Sequence, residues 1–241
     1  MLILASQSPR RQELLRNAGV DFRVQAADIP ELLQDGEHPA SFAKRLAREK
    51  AEAVFEKLRT GELSAAAQPT SAEIGSCGAP SDESLSSRAG TSQQPLESEN
   101  AKRETRNAKR ETLFVLGADT VVVVDEHVLG KPVDDEDAAR MLRLLSGRSH
   151  EVTTGVCLMG QDFVDVRSET TRVTFEVMTD DDIRAYVATG EPMDKAGAYG
   201  IQGVASRWIP RIEGDYFNVV GLPVALVWNM LRERGLSISD F

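Results

Sequence analysis

"LILASQSPRRQELLRNAG", residues 2 to 19, runs from an apolar stretch through a polar turn into a helix-forming segment. Leu2 to Ala5 reads as a short buried strand and is too short for the core of a signal peptide. Ser8 is placed to cap the helix that follows, Pro9 takes its first position, where a missing N–H costs nothing, and Gly19 closes it. A strand that turns directly into a helix, repeated with variations further along, predicts a mixed α/β fold.

Outward from that unit, "DFRVQAA" (21–27) reads as a second strand, followed by a loop containing Glu31. Residues 41 to 59 carry the apolar spacing Phe42, Leu46, Ala53 with Val54, and Leu58 of an amphipathic helix. "LFVLGAD" and "TVVVVDE" (113–126) read as one buried strand or as two with Gly117 between them, and "HVLGKP" as a turn. "DDEDAARMLRLLSGRS" is a helix with acidic residues in its first turn and Gly147 after its end. "HEVTTGVCLMG" and "FVDVRSETTRVTFEVM" form a long hairpin, with alternation clearest at Val173, Phe175 and Val177. "TDDDIRAYVATG" is a helix between Thr179 and Gly190, and a last helix starts at Leu222 to Pro223.

One segment departs from this pattern. From 61 to 112, Ser, Ala, Gly, Pro and Gln dominate, and the stretch ends in a tandem copy, "NAKRETR" then "NAKRET". Too few large apolar residues are present to build a core, so a disordered or weakly helical insertion is expected within a single domain spanning 1 to 241.

The 241 residues, 41% of them hydrophobic, suffice for one substantial core. A formal charge of −10 argues against a protein that coats nucleic acid, because no net positive field recruits phosphates. Cys77 and Cys157 show no metal-ligand spacing, and no apolar run is long enough to span a membrane. These features predict a cytoplasmic protein with neither nucleic-acid nor membrane partners.

Several places could carry chemistry. Ser6, Ser8, Arg10 and Arg11 gather where a strand becomes a helix N-terminus, which suits an anion because free N–H groups and arginine forks converge there. Asp119, after Gly117 and Ala118, is expected to project from a strand end toward a crevice, and such a carboxylate needs a cation, a metal or solvent. Thr120 adds a hydroxyl beside it. Lys131 lies in the "GKP" turn and Lys50 on a helix face, and each alone is more often a solvated charge. "DKAGAYGIQG" places Asp194, Lys195 and Gln202 among glycines, and the Gln202 amide can read a base edge because it both donates and accepts. His38, His127 and His150 fall in a loop, a turn and a strand start, which indicates neither a catalytic triad nor a zinc site. Acid, lysine and arginine together suit phosphoester or phosphoanhydride chemistry.

"LILASQSPRRQELL", "LAREKA", "GADTVV", "LGKP", "MLRLLSGRSHEVTTGV", "EPMDKAGAYGIQG" and "IEGDYFNVVGLP" together resemble the Maf family of nucleoside triphosphate pyrophosphatases. The resemblance covers 1 to 59 and 113 to 236, and the departure from it is the 61–112 stretch, where that family has a short connection. It implies an elongated two-lobed α/β fold, similar to the inosine triphosphate pyrophosphatases, with a long mixed sheet, flanking helices and a nucleotide cleft between the lobes. It also implies cleavage between the α- and β-phosphates with a divalent cation, Mg²⁺ or Mn²⁺, and a homodimer is compatible with it.

By the same resemblance Asp119 is the proton acceptor, and Arg10, Thr120 and Gln202 set specificity. Glutamine in "GIQG" resembles the dTTP/UTP subgroup, whereas relatives acting on 7-methyl-GTP carry glutamate there. In that scheme Asp119 and Glu31 share the metal, while Ser6, Arg11, Lys50, Lys131 and Lys195 hold the triphosphate. The alternatives are a pyrophosphatase for modified nucleotides and a non-catalytic regulator of septum formation.

Overall fold

The computed structural model describes residues 1–61, 113–125 and 127–236. The expected insertion lies almost wholly outside them. The chain begins with β1 (Leu2–Leu4), α1 (Pro9–Asn17) and β2 (Phe22–Val24), and continues through a long loop to α2 (Pro39–Arg59). Ser8 caps α1 by accepting from the Arg11 N–H, with Pro9 in the first turn as expected. His38 caps α2, its Nδ1 accepting from the Ala40 N–H, so this helix starts two residues earlier than the apolar spacing suggests.

β3 (Phe114–Val124) is one continuous strand, and β4 (His127–Leu129) pairs back onto it antiparallel, Val124 opposite His127. Asp125, with a positive φ, stands in the turn of this hairpin, and "HVL" is a strand rather than part of the turn. Gly117 does not break β3. A Cβ there would lie 2.0 Å from the carbonyl oxygen of Ala47, so the glycine answers to a helix packed above it.

α3 (Asp135–Leu145) follows, then the long hairpin of β5 (Ser149–Gly160) and β6 (Phe163–Thr174). β6 ends at Thr174, although the Phe175 N–H still bonds the carbonyl of Arg148, the residue next in register, and Val177 is 76% exposed. The alternation therefore holds at Val173 and Phe175, both buried, and fails at Val177. α4 (Asp180–Val187) begins with a capping box, Thr179 and Asp182 each satisfying the other's backbone N–H. After three 3₁₀ turns come β7 (Arg211–Glu213), α5 (Tyr216–Val220) and α6 (Val224–Glu233).

The seven strands form one mixed sheet in the order β2-β1-β3-β5-β6-β7, with β4 also on β3. β1 pairs parallel with β2 and β3, and the remaining pairs are antiparallel. The long strands carry separate cores at their two ends. One gathers Leu4, Leu15, Leu116, Leu158 and Met230. The other gathers Leu142, Phe175, Ile183 and Tyr186. No described helix is long and apolar enough to cross a membrane.

Candidate active site

β1 pairs with β3 only as far as Leu116, and β4 pairs with it only from Val122 onward. Between them the same edge of β3 has no strand partner among the described residues, and a cavity of about 710 Å³ opens across that gap. All ten residues to which the family resemblance gives a role line it. Asp119 is not at a strand end, however. It sits in the middle of β3, opposite Gly155 of β5, and faces a crevice because its other neighbour strand has already ended.

Successive residues of a strand face opposite sides of its sheet, so Asp119 and Thr120 point apart. On the Asp119 side lies α2, whose inner stripe is Phe42, Ala43, Leu46, Ala47, Lys50, Ala51 and Val54. Small residues bring it down onto the sheet. A Cβ on Gly155 would meet the Ala43 carbonyl oxygen at 2.3 Å, as one on Gly117 would meet that of Ala47. Lys50 occupies a core position of this stripe and is 7% exposed. Its Nζ donates to Asp119 Oδ1 at 2.6 Å and to Glu31 Oε1 at 2.5 Å. A lysine expected to be solvated unless something held it is instead clasped between two carboxylates.

The two acids are driven apart. Burial raises the pKa of Asp119 above its ordinary value, assisted by the Glu31 charge, and the cations of Lys50 and Arg11 offset this only in part. Burial also acts on Glu31, but the Lys50 hydrogen bond and the charges of Lys50, Lys131 and Arg11 outweigh it, holding that carboxyl low. Carboxylates separated in this way can take different roles, one as a proton acceptor and one as a permanent anion.

On the other face, Arg11 reaches across the cleft floor. Its Nε donates to the Gly221 carbonyl at 2.8 Å, Nη1 to Ser6 Oγ at 3.2 Å and Nη2 to Thr120 Oγ1 at 3.0 Å. Burial lowers its pKa, while Asp119 and Glu31 pull it back up. Thr120 Oγ1 is also 2.9 Å from Thr154 Oγ1, which donates to the carbonyl of the buried Asn218. No sequence signal marked Thr154 or Asn218 as supports of this site.

At the rim, Arg10 Nη1 donates to Asp194 Oδ2 at 2.8 Å and Lys195 Nζ to Asp194 Oδ1 at 2.6 Å. One exposed carboxylate thus gathers two cations whose other faces are open to the cavity. Lys131 and Gln202 are exposed and line the same space. Cys157, on the α2 side of β5, is buried and its thiol is pushed up to about 12, which makes it unreactive.

A divalent cation at this cleft would find oxygen donors in Asp119 and Glu31. Among the described residues no group of three or more His, Cys, Asp or Glu side chains comes together. Two carboxylates suit an ion that completes its shell with water and substrate phosphate, as Mg²⁺ commonly does, and do not suit a closed protein cage.

Comparison with known proteins agrees with this architecture. The model of the family described as Maf-like protein matches residues 1–234. A dTTP/UTP pyrophosphatase of Koribacter versatilis (strain Ellin345) is 48% identical over 235 residues, covering 98% of this chain and 95% of its own length. A dTTP/UTP pyrophosphatase of Geobacter sulfurreducens is 42% identical over 236 residues, covering 97% and 96%, and one of Syntrophomonas wolfei is 40% identical over 237, covering 98% of each. The chain belongs to the family of Maf-like proteins.

Proposed function

We propose that this protein hydrolyses dTTP and UTP to the nucleoside monophosphate and pyrophosphate. The observation that carries the reading is the coupling of a buried, proton-attracting Asp119 to a permanently charged Glu31 through Lys50, inside a cleft lined by Arg10, Lys131 and Lys195. Relatives 40% to 48% identical over almost the whole chain, named for this activity, support it.

In the proposed reaction a water molecule attacks the α-phosphorus while Asp119 accepts its proton. A new P–O bond forms, the bond to the α–β bridging oxygen breaks, and pyrophosphate departs with the charge that builds on that oxygen. Arg10, Lys131 and Lys195 face the cavity, where they can balance this charge, and Arg10 and Lys195 need only exchange Asp194 for phosphate. Arg11 and Ser6 form the floor that the phosphates approach. Asp119 and Glu31 would hold Mg²⁺ or Mn²⁺, which when bound supplies further charge neutralisation. Gln202 and Thr120 face the same cavity, with Gln202 placed to offer both donor and acceptor to a pyrimidine edge.

A panel of dTTP, UTP, CTP and 7-methyl-GTP, read by pyrophosphate release with divalent ion and with EDTA, tests the reading. Metal-dependent release from dTTP and UTP is expected. Preference for 7-methyl-GTP, or nucleotide binding without release, overturns it.

A further inference from the structure

Gln202 stands at the tip of a turn from Gly200 to Gly203, closed by the Gly203 N–H on the Gly200 carbonyl at 3.0 Å. Both glycines of this turn are crowded from behind. A Cβ on Gly203 would fall 2.0 Å from Glu191 Oε1, and one on Gly200 would fall 2.7 Å from Cε of Lys195. Neither has a positive φ, so the turn's own conformation does not call for glycine. The space behind them is taken by the ends of the Glu191 and Lys195 side chains, which lie against the turn.

Those side chains belong to a closed set of contacts. Tyr186, buried at the C-terminal end of α4, donates its hydroxyl to Glu191 Oε1 at 2.9 Å and accepts from the Gly200 N–H at 3.2 Å. Glu191 Oε2 accepts from the Val204 N–H at 3.1 Å. The turn is therefore gripped at its first residue by Tyr186 and just past its last by Glu191, and Tyr186 and Glu191 are bonded to each other. The Glu191 carbonyl also takes Lys195 Nζ at 2.6 Å, tying a rim cation to the same support. Gln202 itself is exposed to the cavity and has a flexible side chain. Its reach is set by the backbone that carries it.

We propose that Tyr186 and Glu191 are positioning residues for substrate choice: by clamping Gly200 and Val204 they hold the Gln202 amide where it distinguishes a uracil or thymine edge from cytosine. The proposal rests on the dTTP/UTP reading and adds to it which residues, out of contact with the base, make the discrimination sharp. Cytosine replaces the 4-oxo acceptor with an amino donor, so a fixed amide senses the change whereas a wandering one adapts to it.

The test uses the whole protein carrying Tyr186→Phe or, separately, Glu191→Gln, with folding checked by thermal melting. The ratio of kcat/KM for UTP to that for CTP is measured beside amide exchange at Gly200 and Val204. Tyr186→Phe removes the acceptor for Gly200 and one donor to Glu191. It should lower the ratio about tenfold, the equivalent of one hydrogen bond, mainly through KM, and speed exchange at Gly200. Glu191→Gln keeps the shape and one acceptor, and should recover part of the discrimination that Glu191→Ala loses. An unchanged ratio in folded Tyr186→Phe and Glu191→Ala, with wild type preferring UTP, overturns the positioning role and leaves the proposed activity standing. If wild type fails to release pyrophosphate from UTP, the activity reading falls first and the inference with it.

Discussion

The Nζ of Lys50 lies 2.6 Å from Oδ1 of Asp119, and both side chains are almost wholly withdrawn from solvent. A cation on the inner stripe of a helix is thereby bound to the carboxylate on which the proposed chemistry depends. Removing one partner changes what the other has left in a low-dielectric setting, and the consequences differ.

Asp119→Asn should leave the fold intact, because Lys50 keeps Glu31 as its partner. Pyrophosphate release should drop by about 10²- to 10⁴-fold, the usual contribution of a positioned base. In the wild type, activity requires Asp119 unprotonated, so it should fall with decreasing pH. Burial raises this group's pKa, so the fall should centre above the ordinary aspartate value of 3.8. A pH–rate profile of kcat/KM checks this, and a limb centred at or below that value counts against Asp119 as the acceptor.

Lys50→Met removes the partner instead. Breaking a buried pair in this way costs about 3–5 kcal/mol, and urea unfolding at neutral pH should register a loss of that order. The sign of its pH dependence is fixed. Without Lys50 the Asp119 pKa rises further above its unfolded value, so the folded state gains from protonation as pH falls. The deficit relative to wild type should be largest at neutral pH and shrink in acid. Any surviving activity should have its acid limb shifted to higher pH.

Gly117→Ala and Gly155→Ala should each push α2 off the sheet, since the added methyl would sit within 2.3 Å of a helix carbonyl oxygen. Overpacking of this kind costs about 1–3 kcal/mol. Because Lys50 and the α2 stripe move together, kcat should fall beyond what the lowered Tm explains at a temperature where both variants are folded. Gly130→Ala, where a Cβ meets nothing within 4 Å, is the matched control.

His150 supplies a separate acid sensitivity. It is buried against Phe175 and Tyr199, its Nε2 is 2.7 Å from the Tyr199 hydroxyl, and burial lowers its pKa to about 4. The unfolded chain takes up the proton first, so stability should be unaffected above about pH 6.5 and decline toward pH 4. The full effect is about 3 kcal/mol. Equilibrium unfolding across that range should show a shallower decline in His150→Gln.

Much of the fold was legible because it rests on local chemistry. The caps at Ser8 and Thr179 and the helix stop at Gly190 stand where the sequence placed them, since each is settled within a few residues. What escaped reading depends on distant neighbours. Gly117 looks like a break until Ala47 is seen above it, and Asp119 looks like a strand-end residue until β1 is seen to stop at Leu4. Lys50 was half visible: it falls on the three-and-four spacing of Leu46, Ala47 and Val54, a position where a charged residue needs a buried partner. Tyr186 lay outside every motif and Glu191, though it opens "EPMDKAGAYGIQG", was given no role, because what they do is defined by the turn behind which they pack.

Asp119 and Thr120 are neighbours in the chain but occupants of opposite faces of the sheet. Function in β3 therefore has a parity. Insertion of one residue between Gly117 and Asp119 would turn the carboxylate into the place of Thr120, on the Arg11 face, whereas loss of one there would bring the threonine into the place of Asp119, beside Lys50. Either change leaves Lys50 without the carboxylate that faces it. Length in this strand behaves like a reading frame.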